Sequence, residues 1–418
     1  MELHAPKGTK DVTPKDSWRW QYIEGIIRDI CRKYCIYEAR TPVIEHTELF
    51  ARGVGDTTDI VQKEMYTFLD KGERSVTLKP EGTAGIVRMF VENRLYNEAQ
   101  PTKMYYLNAP IFRYERPQAG RLREHHQFGI EIFGAPLASA DAECISLALE
   151  ILSRLGVKEL ELHINSIGCK HCRPLYNEKL VEFLTQHEHE LCETCRDRMH
   201  KNPLRTLDCK EEKCREICAS APIVLESLCD ECSHHLDELK SCLDAVGIPY
   251  VLDPHIVRGL DYYTKTVFEI ISNDLSAQNT VCGGGRYDGL VEQLGGPKTP
   301  AVGFGMGLER LLLLLQNQGA HMGEPASIDI YIAPIGDTAR MKAFELAAFL
   351  RKQGLIVDID HVGRSIKAQF KFAGKLNIRY VGILGDSELE MGALKLKNMT
   401  SGQEEIVKFD NLFNYIKE

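Results

Sequence analysis

Ten of the fourteen cysteines in this 418-residue chain fall between Cys169 and Cys242, with mixed helix and strand patterns on either side. The crowded stretch begins at Gly168 and fades near Val246, and it interrupts a larger domain. Two CxxC pairs, Cys169/Cys172 and Cys192/Cys195, are separated by nineteen residues, within the spacing of a zinc ribbon. Cys229/Cys232 adds a third pair, and Cys209, Cys214 and Cys218 remain available. In a reducing compartment such crowding favours a metal or free thiols over disulfides. Four thiolates would close the coordination shell and make a zinc ion here purely structural. The alternative is buried free thiols that behave as small hydrophobes, and spacing leaves open which four would ligate.

Composition narrows the class further. With 44% hydrophobic and 27% charged residues the chain is an ordinary globular protein, long enough for two or three domains at roughly 150 residues each. No apolar run approaches the ~18 residues needed to span a bilayer. The N-terminus lacks the apolar core of a secretory signal, so a cytoplasmic protein without a membrane partner is expected. A net charge of −9 argues against binding nucleic acid over the whole surface. Residues 340–379 are the exception, with nine basic side chains against three acidic. On a helix predicted over 365–376, Arg364, Lys367, Lys371 and Lys375 recur at i, i+3, i+7 and i+11, a stripe suited to a phosphate backbone. The plainer reading is a solvated helix face.

Hydrophobic periodicity predicts a helix over 16–34, and residues 38–45 form a short β-rich run that Pro42 confines to an edge, a strand start or an interface. Strands at 104–112 and 127–133 flank a long charged hairpin loop. A helix over 147–155 and a strand over 159–165 lead into the cysteine-rich stretch. Beyond it, β-rich runs at 250–252, 266–271, 278–282 and 301–305 point to an antiparallel sheet, and 308–316 reads as a buried helix. Residues 319–326 are a polar Gly/Pro linker, which sets domains at 1–325 and 326–418, the first interrupted by an insertion at 168–246. In the tail, strands at 328–333, 356–360 and 380–384 alternate with helices at 338–353 and 365–376, as in a small α/β domain.

Arginines carry the chemistry. Arg113, Arg116, Arg121 and Arg123 share the hairpin loop with Glu115 and Glu124, and strand alternation puts Gln127, Gly129 and Glu131 on one face beyond it. Acceptors beneath a loop of guanidinium groups suit a polyphosphate paired with a donor-rich small molecule; a surface hairpin of ion pairs is the alternative. Residues 78–85 bring Glu81 and Thr83 to the start of a helix, where Glu81 could be only a favourable N-terminal carboxylate. Residues 257–263 contain Arg258, Tyr262 and Tyr263; residues 283–289 contain a triple glycine, which lets backbone approach a ligand closely, and Tyr287. The alternating glycines of 301–310 only loosely resemble a dinucleotide fingerprint, since no βαβ pattern precedes them. Arg310 stands near a helix start, where acids are usual, and a bound anion would explain it.

Taken together, these segments resemble the class II aminoacyl-tRNA synthetases, and within them the histidyl-tRNA synthetase family. Residues 41–50 resemble the class's first motif, a dimer-interface element. Residues 112–116 with the arginine loop resemble the second, and 303–310 the third. Residues 258–263 and 283–289 are similar to two signatures of the histidine family, and the tail to its anticodon-binding domain. The resemblance implies an α+β fold: an antiparallel-sheet catalytic domain with the Cys-rich insertion and a C-terminal α/β domain. It implies a homodimer that ligates L-histidine to its tRNA through histidyl-adenylate, using ATP with Mg²⁺. By the same resemblance Arg113, Arg310, Arg121 and Glu115 would hold ATP; Glu81, Thr83 and Gln127 would take the α-ammonium; Glu131 and Tyr263 would bind the imidazole, with Tyr262 and Tyr287 completing the pocket. Arg258 would bridge the substrate carboxylate and the α-phosphate, and Arg364, Lys367 and Lys371 would meet tRNA. At Leu122 and His125 the chain departs from the family, which usually has aromatic residues nearby. The competing expectation is a histidine-sensing regulatory paralogue without ligase activity, which would not need the tail or the arginines. A zinc-ribbon nucleic-acid scaffold leaves the two histidine-type signatures unexplained.

Overall fold

Ile23, Ile27 and Ile30 lie at helical spacing on helix Ser17–Lys33, and all three are fully buried. That helix lies on a sheet of eight strands in a computed structural model describing residues 3–55, 58–209, 211–275, 279–325 and 327–417. Gln278, the expected start of one strand, and Ala326, at the expected domain boundary, lie outside the described residues. The chain divides into two units, Met1–Met322 and Gly323–Glu418.

The sheet runs in the order Tyr37–Glu38, Thr102–Phe112, Glu124–Phe133, Ala301–Gly307, Thr280–Arg286, Thr264–Ser272, Leu160–Ser166, Val251–Leu252. Its six central strands are antiparallel, as the β-rich runs suggested; the two short edge strands pair in parallel. Pro42 splits the expected run at 38–45 into the edge strand Tyr37–Glu38 and the strand Ile44–His46 of a separate three-stranded sheet.

Strand alternation divides the work between the two faces of the large sheet. Phe128, Ile130, Ile132, Val302, Phe304 and Met306 pack with the helices Ser17–Lys33, Ala138–Arg154 and Leu308–Asn317 into the main core. Their neighbours Gln127, Gly129, Glu131, Gly303 and Gly305 therefore line the other face. Gly303 pairs with Glu131, and a Cβ there would sit 2.0 Å from the Glu131 carboxylate; at Gly305 it would sit 2.3 Å from Gln127 Nε2. The alternating glycines thus make room for two polar side chains on the neighbouring strand, which is a different reason from phosphate binding by a dinucleotide loop.

Arg286, in the triple-glycine segment, serves the frame. It is fully buried, ion-paired with the equally buried Asp141, and donates to the carbonyls of Ala135 and Leu137 at 2.9 and 3.1 Å. Removing one partner of such a pair strands the other's charge in a low-dielectric interior. Arg286→Met is expected to lower stability by about 3–5 kcal/mol, read as a lower denaturant midpoint at unchanged slope; a shift below a tenth of that would show Asp141 finding solvent.

Part of the cysteine-rich stretch builds a core of its own. Tyr176, Leu180, Leu184, Leu191, Met199 and Val224 pack together, whereas helix Asp230–Ala245 turns Leu236, Leu239 and Leu243 into the main core.

In the second unit the sheet order is Val357–Ile359, Ile330–Pro334, Tyr380–Leu384, Ala393–Asn398, Glu404–Lys408. The first three strands are parallel and alternate with helices Asp337–Lys352 and Ile366–Lys375. The antiparallel pair at the end was not anticipated, because Lys395, Lys397, Glu404 and Glu405 make it read as polar loop. Lys367, Lys371 and Lys375 are exposed on their helix. Arg364 is not part of that stripe: it precedes the N-cap Ser365, pairs with buried Asp360 at 2.7 Å and lies 4.5 Å from the Phe372 ring centre.

Candidate active site

Outside the insertion, four arginines from three segments line one cavity of about 780 Å³: Arg113 and Arg121 of the hairpin loop, Arg258, and Arg310. Arg113 follows the strand Thr102–Phe112 and is aimed by a 2.8 Å bond from its Nε to the Pro80 carbonyl. Arg121 is held by Glu115 at 2.5 Å. The other two arginines of the loop do not line this cavity: Arg123 stacks 4.0 Å over the Tyr114 ring, and Arg116 is exposed. Arg310 enters from the first turn of helix Leu308–Asn317, where the positive end of the helix and nearby Arg121 would oppose another cation. Burial lowers its tendency to stay charged, with Arg121 adding to the effect, and its Nε has no partner among the described residues.

Arg258 stands at the junction with a second, drier cluster. Its guanidinium pairs with Glu269, which also accepts from the Thr280 hydroxyl at 2.8 Å, and it lies 6.0 Å from the centre of the Tyr263 ring. A Cβ on Gly283 would come within 2.5 Å of the guanidinium, so the triple glycine makes space for an arginine. Burial works against the Arg258 charge, but the Tyr263 and Glu269 groups outweigh it and hold the guanidinium firmly protonated.

Behind Arg258 the buried Glu131 carboxylate accepts from the hydroxyls of Thr83, at 2.7 Å, and Tyr287. Burial pushes its pKa up to about 8, against the pull of those two bonds, with the charge of Glu81 adding to the rise. Tyr262 and Tyr263 close the cluster, Tyr262 packing 5.5 Å from Tyr287 between ring centres. Glu81 does what its plainer reading says: it accepts the amides of Thr83 and Ala84 at 2.8 and 2.6 Å at the start of helix Thr83–Glu92. Gln127 reaches the same region from its strand and accepts from the Tyr106 hydroxyl at 3.4 Å.

Tyr106 was missed in the sequence, although Gly129 signalled it. The two pair across the sheet, and a Cβ on Gly129 would sit 2.3 Å from the phenol; a glycine inside a strand often marks a close neighbour. Glu269 was missed too, being one acid in an apolar strand. His125 lines the arginine cavity, and burial, with Arg113 nearby, pushes its pKa down to about 4, so the ring is neutral at physiological pH. Leu122 lines a different cavity, of about 330 Å³, with Trp20, His126 and Glu309. The insertion contributes Asp208 and Arg215 to the arginine cavity.

The cysteines form two separate groups, Cys169/Cys172/Cys229/Cys232 and Cys192/Cys195/Cys209/Cys214, the sulfurs of each lying within 4.8 Å of one another. The zinc-ribbon spacing is therefore corrected: Cys169/Cys172 joins Cys229/Cys232, and Cys192/Cys195 joins Cys209 and Cys214, which had stood only as available.

A six-stranded antiparallel core with arginines and a buried acid–phenol cluster on its open face defines a class II aminoacyl-tRNA synthetase catalytic domain. The family model for histidyl-tRNA synthetase matches residues 8–311, and that for an anticodon binding domain matches residues 329–418. The chain is 58% identical to the histidine–tRNA ligase of Caldanaerobacter subterraneus subsp. tengcongensis over 417 residues, covering 100% of both, and 54% identical to that of Clostridium novyi, covering 99% of this chain and 98% of the other. The crystal structure of apo S. aureus histidyl-tRNA synthetase superposes with a TM-score of 0.85 at 39% identity, covering 100% of each chain. This chain belongs to the histidyl-tRNA synthetase family.

Proposed function

We propose that the chain activates L-histidine with ATP and transfers it to its tRNA. A histidine carboxylate oxygen attacks the α-phosphorus and pyrophosphate leaves; the terminal ribose hydroxyl of the tRNA then attacks the activated carbonyl and AMP leaves. Two anionic reactants must approach each other in the first step, and fixed positive charge lowers that barrier without any proton transfer. Arg258 fills this role between carboxylate and α-phosphate. Arg113, Arg310 and Arg121 take the phosphates, with Glu115 orienting Arg121, and Mg²⁺ arrives with ATP as part of the substrate. Neutral His125 offers its ring face to the adenine. Glu131 and Tyr263 hold the imidazole, Tyr262 and Tyr287 wall it, and Glu81, Thr83 and Gln127 receive the α-ammonium; Glu81 has lone pairs left after its two amide bonds. The observation that carries this reading is the convergence of Arg113, Arg121, Arg258 and Arg310 on one cavity beside a buried Glu131.

Charging of total tRNA with labelled histidine tests it; a purified protein that charges no tRNA would overturn it. A silent histidine-sensing subunit is disfavoured because the chain carries the anticodon-binding match over residues 329–418 and its relatives are ligases over their full length.

In the second unit, exposed Lys367 and Lys371 meet the tRNA backbone, with Arg364 reserved for any phosphate that can compete with Asp360. Reversing both lysines to Glu is expected to weaken charging about tenfold and to lower the salt dependence of tRNA binding by about two counterions, leaving adenylate formation unchanged. Equal loss of both steps would contradict a separate recognition unit.

A homodimer fits the three-stranded sheet, whose Ile44 and Phe68 are 50% and 45% exposed on one face. A cytoplasmic location fits a chain in whose described residues no helix is long and apolar enough to cross a membrane. The insertion's thiolates suit structural zinc, since soft sulfur ligands do not suit Mg²⁺.

A further inference from the structure

We infer that the insertion is a two-zinc module, with one ion closing its neck and a second bracing its tip against the active-site cavity. This extends the zinc reading above and is independent of the ligase reading.

The sulfur geometry fits single tetrahedral ions. With Zn–S bonds of about 2.3 Å, the edge of a thiolate tetrahedron is about 3.8 Å. Cys169 lies 3.7 Å from Cys172 and 3.9 Å from Cys229, and Cys192 lies 3.9 Å from Cys209. A disulfide needs about 2.05 Å between sulfurs, and all fourteen cysteines are free thiols. Van der Waals packing of thiols does not require two fours. Backbone amides also point at the sulfurs: Cys229 N–H donates to Cys172 at 3.1 Å, and Cys192 N–H to Cys214 at 3.3 Å. Such donors stabilise thiolates as outer partners of a metal site.

Topology gives each ion a separate task. The first group sits where the chain leaves the main sheet after strand Leu160–Ser166 and where it returns in helix Asp230–Ala245. An ion there staples the two ends of an excursion of about sixty residues. A segment of that size with so small a core ordinarily needs a metal or disulfides to hold its fold. Arg173, beside this group, donates to the carbonyl of Tyr263, which ties the neck to the loop that carries Arg258.

The second group is distal and holds the segment that reaches the cavity. Cys209 itself, with Asp208 and Arg215, lines the arginine cavity. Between its ligands, Asn202 donates to Asp261 at 2.8 Å and Arg198 pairs with Asp59 at 2.9 Å. Losing this ion would free a wall of the site without unfolding the sheet.

Elemental analysis of full-length protein purified without added metal is expected to find about two zinc ions per chain. Cys232→Ser and Cys195→Ser should each hold about one, while Cys218→Ser, outside both groups, should keep two. Titration of the metal-stripped wild type with Co²⁺ supplies a check that needs no variant to fold: intense sulfur-to-cobalt absorption should grow to saturation at two equivalents. No zinc would end the zinc reading itself. One zinc, or saturation at one equivalent, would overturn the two-ion inference while leaving a single structural ion, and so would a Cys218→Ser protein that drops to one. None of these outcomes depends on whether histidine is activated.

Discussion

Arg258→Ala is expected to lower histidine-dependent exchange of pyrophosphate into ATP by about 10²–10³-fold, the loss typical when one fixed donor to a developing charge is removed. The KM for histidine should rise by a smaller factor, because Arg258 touches only the substrate carboxylate while the imidazole stays held by the Glu131 pocket. Two features make the effect large. Arg258 works in a half-buried site, where its charge is poorly screened, and it is locked between Gly283 and Glu269. Its removal also leaves Glu269 as an uncompensated negative charge near the incoming phosphates. Arg258→Lys keeps the charge and loses the planar fork, so it should fall between the two. Unchanged exchange in Arg258→Ala would remove its assigned role; equal loss of histidine binding would show that the change had collapsed the pocket.

Glu131→Gln is the second. It should raise the KM for histidine about 10- to 100-fold, the range for losing a charged hydrogen bond in a dry site. A pH signature accompanies it. The carboxyl is raised from 4.5 to about 8 by burial, so the folded protein without ligand holds this proton more tightly than the unfolded chain. The stability it contributes is complete below about 4.5 and is lost as pH rises toward 8. Histidine bound as proposed would reverse the preference, because a ring N–H donates best to the charged carboxylate. Binding near neutral pH should therefore release a proton, and affinity should increase from pH 7 to about 8, as titration calorimetry in buffers of different ionisation heat can measure. In Glu131→Gln the proton release should vanish; its persistence would assign the titration to another group. A pocket that bonds both ring nitrogens also rejects analogues lacking them by roughly 10⁴–10⁵, enough to do without hydrolytic proofreading.

What the sequence could convey follows from how local each signal is. Helix Ser17–Lys33 was legible because its periodicity is set by one buried face, and the strand after the charged hairpin because Phe128, Ile130 and Ile132 alternate with Gln127, Gly129 and Glu131, although both its faces are covered from Phe128 onward. The alternating glycines of 301–310 were visible, but their reason was not: it lies in Gln127 and Glu131 on a strand far away in the chain. Arg113 and Arg123 are identical in type and ten residues apart, yet one reaches the cavity and the other stacks on Tyr114. Only the turn geometry of the loop separates them. Arg364 looked like the first residue of a basic stripe, although the helix starts after it and Asp360 claims its charge. The thiol partition fails for the same reason: CxxC spacing fixes which sulfurs pair locally, and only the return of the chain at Cys229 decides which pairs meet.

The account rests on adenylate formation at the arginine cavity, and histidine-dependent pyrophosphate exchange by the purified wild-type protein tests that most directly. Exchange should be robust with histidine and ATP–Mg²⁺ and at background with each of the other standard amino acids. Tight histidine binding without any exchange would contradict it and return the chain to the role of a sensor.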